Sequence, residues 1–118
     1  MTRSRPMLKA KLLRKAGTIG GGVLCGFTVE GHAGFAKHGK DIVCAGVSAI
    51  AQAALFGLKD ILGDAVKSEI SPGYLQVSVD ERHASEEGPK AIFRTLELGL
   101  KAIEHSYPGA VELSESPE

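Results

Sequence analysis

The chain carries only two cysteines in 118 residues, Cys25 and Cys44. That is too few for the disulfide framework of a small secreted domain, so both read as free thiols in a reducing compartment. Net charge is missing as well, because 14 Lys and Arg balance 14 Asp and Glu. No global field draws such a chain toward nucleic acid, a membrane surface or an acidic partner, and a neutral chain self-associates readily. Aromatic residues make up 5% of the sequence, which leaves little with which to stack bases. No apolar run approaches the roughly 20 residues that span a bilayer. The basic opening, residues 1–6, lacks the apolar stretch of a signal peptide. No phosphate-loop pattern occurs in the right context, and Gly20, Gly21 and Gly22 precede a strand pattern rather than a helix. Ser-x-x-Lys and Gly-x-Ser-x-Gly nucleophile motifs are absent too.

What is present is the makings of one domain, with 43% hydrophobic and 24% charged residues. Residues 1–6 read as a disordered extension, with Met7 an alternative first residue, and residues 7–115 as a single domain followed by a polar tail at 116–118. Residues 7–15 read as a strand, a short helix being the alternative. Residues 23–30 read as a second strand, with Val23, Cys25, Phe27 and Val29 on one face and Thr28 and Glu30 on the other. A glycine turn joins them into a hairpin. A glycine-bounded loop covers 31–40. Asp41 then caps a helix that runs to Leu62, with Val43, Val47, Ile50, Ala54 and Leu58 as its apolar stripe and Gly63 at its C-terminal end. Alanine and glycine make this helix slim enough to pack closely on a sheet or on a second copy of itself.

Residues 65–70 form a third strand candidate, Pro72-Gly73 a turn, and 74–79 a fourth strand with Leu75, Val77 and Val79 on one face. Residues 80–84 read as a polar loop. Ser85 is the expected cap of a second helix, whose stripe is Ile92, Leu96, Leu100 and Ile103, joined by Phe93 and Ala102. Tyr107-Pro108-Gly109 stops it, and 110–113 supplies a last short strand. The order β-β-α-β-β-α-β implies an α/β fold: a two-layer sandwich in which two helices cover one face of a mostly antiparallel sheet.

Chemistry concentrates between His32 and Cys44. A free cysteine is commonly a buried, inert hydrophobe. A cysteine in the first turn of a helix is different, because unpaired N–H groups and the helix dipole favour its thiolate. His32, on a glycine-flanked loop just upstream, is within reach of acting as its base, although a loop histidine by itself is more often only solvated. Asp41 caps the helix and is also a candidate orienter of His32; direct contact with the sulfur would oppose the thiolate. Gly31, Gly34 and Gly39 give the intervening loop the freedom to open and close over a peptide. Ser48, one turn beyond Cys44, is placed to line the same site. His32, His38 and Cys44 are spaced H-x5-H-x5-C, which matches no common zinc pattern, so neither a metal nor another cofactor is expected.

The segment Gly31-His32-Ala33-Gly34, then Gly39-x-Asp41-Ile42-Val43-Cys44-Ala45-x-Val47-Ser48, resembles the signature of the bacterial ribosomal-processing cysteine protease family, Prp. The resemblance extends from Met7 to about Glu115: a glycine-turn hairpin first, a helix leading to Tyr-Pro and a short strand last. It implies a cytoplasmic, homodimeric endopeptidase with a Cys/His pair. Such an enzyme removes an N-terminal extension from large-subunit ribosomal protein twenty-seven, cutting after an aromatic residue. Carried over, the nucleophile is Cys44, the histidine His32 and the aspartate Asp41, with the mobile loop between His32 and Cys44. Gly46 departs from the family's usual alanine, and His38 stands at a variable position. The competing class is a non-catalytic ribosome-associated module that binds a peptide or RNA in the same groove. The expected partner is thus a ribosomal protein precursor, with no membrane and no direct nucleic acid.

Overall fold

A computed structural model describes residues 8–15, 22–31 and 40–117, with the side chains of 40, 41 and 117 excepted. Two strands open the chain, β1 (Leu8–Lys15) and β2 (Val23–Gly31). A long helix α1 (Lys40–Leu62) follows and ends in a 3-10 turn, Gly63–Ala65. Then come β3 (Lys67–Ser71), β4 (Tyr74–Ser78), a short helix α2 (Glu81–Ala84), the helix α3 (Glu87–Ser106) and β5 (Val111–Pro117). The strands form one mixed sheet in the order β3-β4-β2-β1-β5, with antiparallel neighbours except for the parallel pair β1 and β5.

Burial along β1 alternates: Leu8, Ala10 and Leu12 are buried, while Lys9 and Lys11 are exposed. One face of the sheet therefore carries the helices and the other faces solvent, as period-2 patterning requires. Val47, Leu55 and Leu58 of α1 meet Phe93, Leu96 and Leu100 of α3 over Leu12, Phe27 and Val77. Phe27 and Phe93 pack edge to face, with ring centroids 6.4 Å apart. The two helices interlock by isoleucine over glycine: Ile103 lies over Gly46, Ile92 over Gly57, Ile50 over Gly99 and Ile61 over Gly88.

Several expectations need correction. The 80–84 stretch is helical rather than a loop, because the Asp80 carboxylate accepts the His83 backbone N–H at 2.9 Å and Ala84 is fully buried. Ser85 closes this short helix, donating its hydroxyl to the Glu81 carbonyl at 2.8 Å, and does not cap α3. Clean alternation in β2 fails at Cys25. Pairing skips from Leu13↔Gly26 to Arg14↔Leu24, so Cys25 sits in a bulge and Leu24 is buried beside it. Gly26 is required next to the bulge, since a Cβ there would run into the Val77 carbonyl. Ala102 is exposed, and Glu97 takes a buried place in the α3 stripe. The polar C-terminal residues are not a tail: β5 runs to Pro117 along almost all of β1. Contrary to expectation, helix α1 is long and apolar enough, by length and composition, to cross a bilayer, with mean hydropathy 1.7 within Ile42–Ala65. Val43, Val47, Ala51, Leu55 and Leu58 from this helix are nevertheless part of the protein core.

Glu97 explains part of the β5 docking. Its carboxylate is held by Arg94 at 2.9 Å, Arg14 at 3.1 Å and Lys101 at 3.3 Å, and Arg14 also reaches Glu115 of β5 at 3.0 Å. Burial works against the Glu97 charge, but the bonds from Arg94 and Lys101 and the nearby Arg14 outweigh it and hold the carboxyl below its ordinary value. The hydrogen bond from Arg14 does the same for Glu115. A depressed folded value means that this stabilisation is present above the unfolded carboxyl range, near pH ~4.3, and is lost as pH falls through the folded values. Thermal melts between pH 5 and 3 are expected to fall more steeply for the wild type than for Glu97→Gln; parallel curves would remove the network from the acid response.

Gly46 offers the opposite case. A Cβ built there meets Ile103 Cδ1 at 3.7 Å, an ordinary contact. Gly46→Ala gains helix propensity without a clash and is expected to stabilise the protein by about 0.5–1 kcal/mol. A lower melting temperature would show that α1 and α3 lie closer than this geometry allows.

Candidate active site

Cys44 is the fifth residue of α1, just past the first turn in which it was expected because the helix starts at Lys40, and it is half-buried at one end of a groove of about 240 Å³. Helix α1 forms one wall with Ser48, Gln52 and Phe56, which follow Cys44 at four-residue steps and so share its side of the helix. Leu8 and Val29 of the sheet lie beneath. The opposite wall is the β3–β4 hairpin, through Ile70, Ser71, Gly73 and Tyr74. Apolar walls with a few polar groups and a thiol at one end suit an extended peptide better than a compact polar metabolite.

Beyond the β2–β4 ladder, one further backbone contact ties the tip of the hairpin to β2. Gly31 at the end of β2 donates its N–H to the Gly73 carbonyl at 3.0 Å. Gly73 adopts φ +73°, and a Cβ on it would run into the Gly31 carbonyl. Glycine is therefore required at 73 both for its backbone conformation and for space. Gly31 is the residue immediately before His32 in sequence.

Of the residues singled out from sequence, Gly31, Cys44 and Ser48 line this one groove. Asp41 lies within the first turn of α1 rather than before it, because the helix begins at Lys40. An acidic residue in a first turn still complements the helix dipole. His32, Gly34, His38 and Gly39 lie outside the described residues, as does the side chain of Asp41. Sequence reasoning missed Gln52, Phe56 and the whole hairpin wall. The helical step from Cys44 through Ser48 could have given Gln52 and Phe56; the hairpin meets them only through long-range sheet pairing. Among the described residues no cluster of three or more His, Cys, Asp or Glu is arranged to hold a metal ion.

The family model for cysteine protease Prp matches residues 7–112. The ribosomal processing cysteine protease Prp of Bacillus subtilis is 33% identical over 85 residues, covering 69% of this chain and 76% of that protein. The crystal structure of the SMU.848 protein of Streptococcus mutans superposes with a TM-score of 0.79 at 24% identity, covering 96% of this chain and 97% of that one. The S. aureus ribosomal processing protease Prp, solved in complex with a substrate peptide, gives 0.73 at 19% identity, over 91% of this chain and 99% of that one. These two structures share the fold, and the model and the B. subtilis relative carry the family: the chain belongs to the Prp family and is a cysteine protease.

Proposed function

We propose that this protein removes the N-terminal extension of large-subunit ribosomal protein twenty-seven, with Cys44 as nucleophile and His32 as its base. The observation that carries the reading is the position of Cys44 at the end of an apolar groove whose wall includes Gly31, the residue before His32. In the reaction, the His32 imidazole takes the Cys44 proton and the thiolate adds to the scissile carbonyl carbon. Backbone N–H groups at the start of α1 stabilise the resulting oxyanion. Collapse breaks the C–N bond, and the imidazolium returns its proton to the leaving amine. Water then hydrolyses the thioester, with His32 again moving the proton. Asp41 orients His32 and favours the start of the helix.

The reading places the enzyme in the cytoplasm, where cysteines stay reduced, and pairs it with a second copy. The surface that suits that copy is the outer face of α1, where Ile42, Ala45, Ala49 and Ala53 are exposed. Sedimentation of the purified chain as a 12.4 kDa species at micromolar concentration would remove the dimer.

Differential alkylation tests the pair. Iodoacetamide is expected to label Cys44 far faster than the buried Cys25, with a pH midpoint below that of an ordinary thiol. His32→Ala is expected to keep the circular dichroism spectrum and lose turnover. Equal, slow labelling of both thiols, or turnover retained by His32→Ala, would contradict the mechanism.

A further inference from the structure

Phe56 and Ile70 line the groove from opposite walls, Phe56 being the lining residue of α1 farthest along the helix from Cys44, and they are large apolar side chains left 63% and 67% exposed. Isolated exposed apolar residues need no explanation, but two that face the same groove from a helix and a sheet edge do. Their distance from the nucleophile has a consequence. Cys44 and Phe56 are twelve residues apart on one helix, which is about 18 Å of rise. An extended peptide covers that length in about six residues. The repeats also match: four helical residues rise about 6 Å, and two residues of an extended chain rise about 6.6 Å. A peptide lying along α1 with its scissile bond at Cys44 therefore presents every second side chain to Ser48, Gln52 and Phe56 in turn.

We propose that Phe56 and Ile70 form a distal subsite that selects a bulky apolar side chain about six residues along the peptide from the one beside Cys44. The proposal rests on the peptidase reading above and adds a second determinant to whatever is recognised beside the cut. Gln52, with its amide midway along the wall, suits a polar side chain between the two. The distal residue reads the peptide by burying it between an aromatic ring and a branched aliphatic chain, contacts that water cannot replace.

The test uses peptides of about sixteen residues with one aromatic residue before the cut and either Leu or Asp six residues from the side chain beside Cys44, on each side in turn. In one of these positions, Leu→Asp is expected to lower wild-type kcat/KM by about 10- to 100-fold, the range of discrimination that an apolar pocket supplies. Phe56→Ala, which truncates an exposed side chain, is expected to lower kcat/KM for the Leu peptide only, leaving the two peptides within about threefold of each other. A merely structural role would depress both equally. Fluorescence anisotropy with labelled peptides and Cys44→Ala reads the same preference without turnover. Leu-over-Asp binding that Phe56→Ala abolishes, with no peptide cut by the wild type, would keep the subsite and overturn the peptidase reading. Wild-type turnover and binding indifferent to the distal residue on both sides, or a preference that survives Phe56→Ala, would overturn the subsite.

Discussion

Cys44→Ala is expected to remove peptide cleavage, by at least about a thousandfold, while the melting temperature moves by no more than a few degrees. The first part follows from chemistry: an alanine methyl cannot form the acyl-enzyme, and losses of this size accompany removal of a nucleophile that acts as a unit with its base. The second follows from place. Cys44 is half-buried at the groove end, outside the set of fully buried side chains that Phe27, Leu55 and Val47 belong to. Removing one sulfur atom from such a site leaves a small cavity that opens to the groove, and alanine has the highest helix propensity. A variant that unfolds would make Cys44 a packing residue, and one that still cleaves would move the nucleophile elsewhere.

The second large effect concerns a residue with no side chain to offer. Gly73→Ala is expected to cost about 2–3 kcal/mol, roughly 10 °C in melting temperature, and to lower kcat/KM by roughly a hundredfold. Two penalties combine there. The φ of +73° strains any Cβ, and that Cβ would run into the Gly31 carbonyl, so the hairpin must lift away and the Gly31 N–H to Gly73 carbonyl bond is lost. The hairpin is one wall of the groove, and Gly31, which leads into the proposed base His32 in sequence, is its contact, so the displacement is expected to disturb substrate binding. Gly109 is the control. It also has a positive φ, +87°, but nothing lies within 4 Å of a Cβ built on it. Gly109→Ala is expected to cost only the backbone strain, about 1 kcal/mol, and to leave turnover unchanged. Equal effects of the two substitutions on turnover would separate the hairpin from the site.

Local signals carried most of the fold. The alternation in 74–79, the helical stripe after Asp41 and the glycine that ends it correspond to β4, α1 and the Gly63 turn at φ +58°. Where the reading went astray, the cause was contact between distant residues. Three polar residues and Ala84 form α2 because Ala84 is buried against the core while Asp80 caps the turn, and the burial of Ala84 is not visible in a window of that length. Glu97 lies in an apolar stripe because Arg14, Arg94 and Lys101 converge on it from two elements. The same convergence draws Glu115, which lies past the expected 110–113 strand, into the sheet edge. The site divides in the same way. Cys44 and Ser48 were legible from helical position, since a helix fixes which residues share a side. The hairpin wall was not, since the docking of Gly73 on Gly31 depends on the register of three strands. The histidine and the loop around it were read from their place just upstream of Cys44 and from the motif resemblance, and His32, Gly34, His38 and Gly39 lie outside the described residues.

The central claim is that Cys44 cuts a ribosomal protein precursor. Mass spectrometry tests it most directly: purified precursor of large-subunit ribosomal protein twenty-seven, N-terminal extension intact, is incubated with the wild type and separately with Cys44→Ala. The account predicts loss of the extension at a single bond after an aromatic residue, in the wild-type tube only. A precursor of unchanged mass in both tubes, or one cut equally in both, would contradict it.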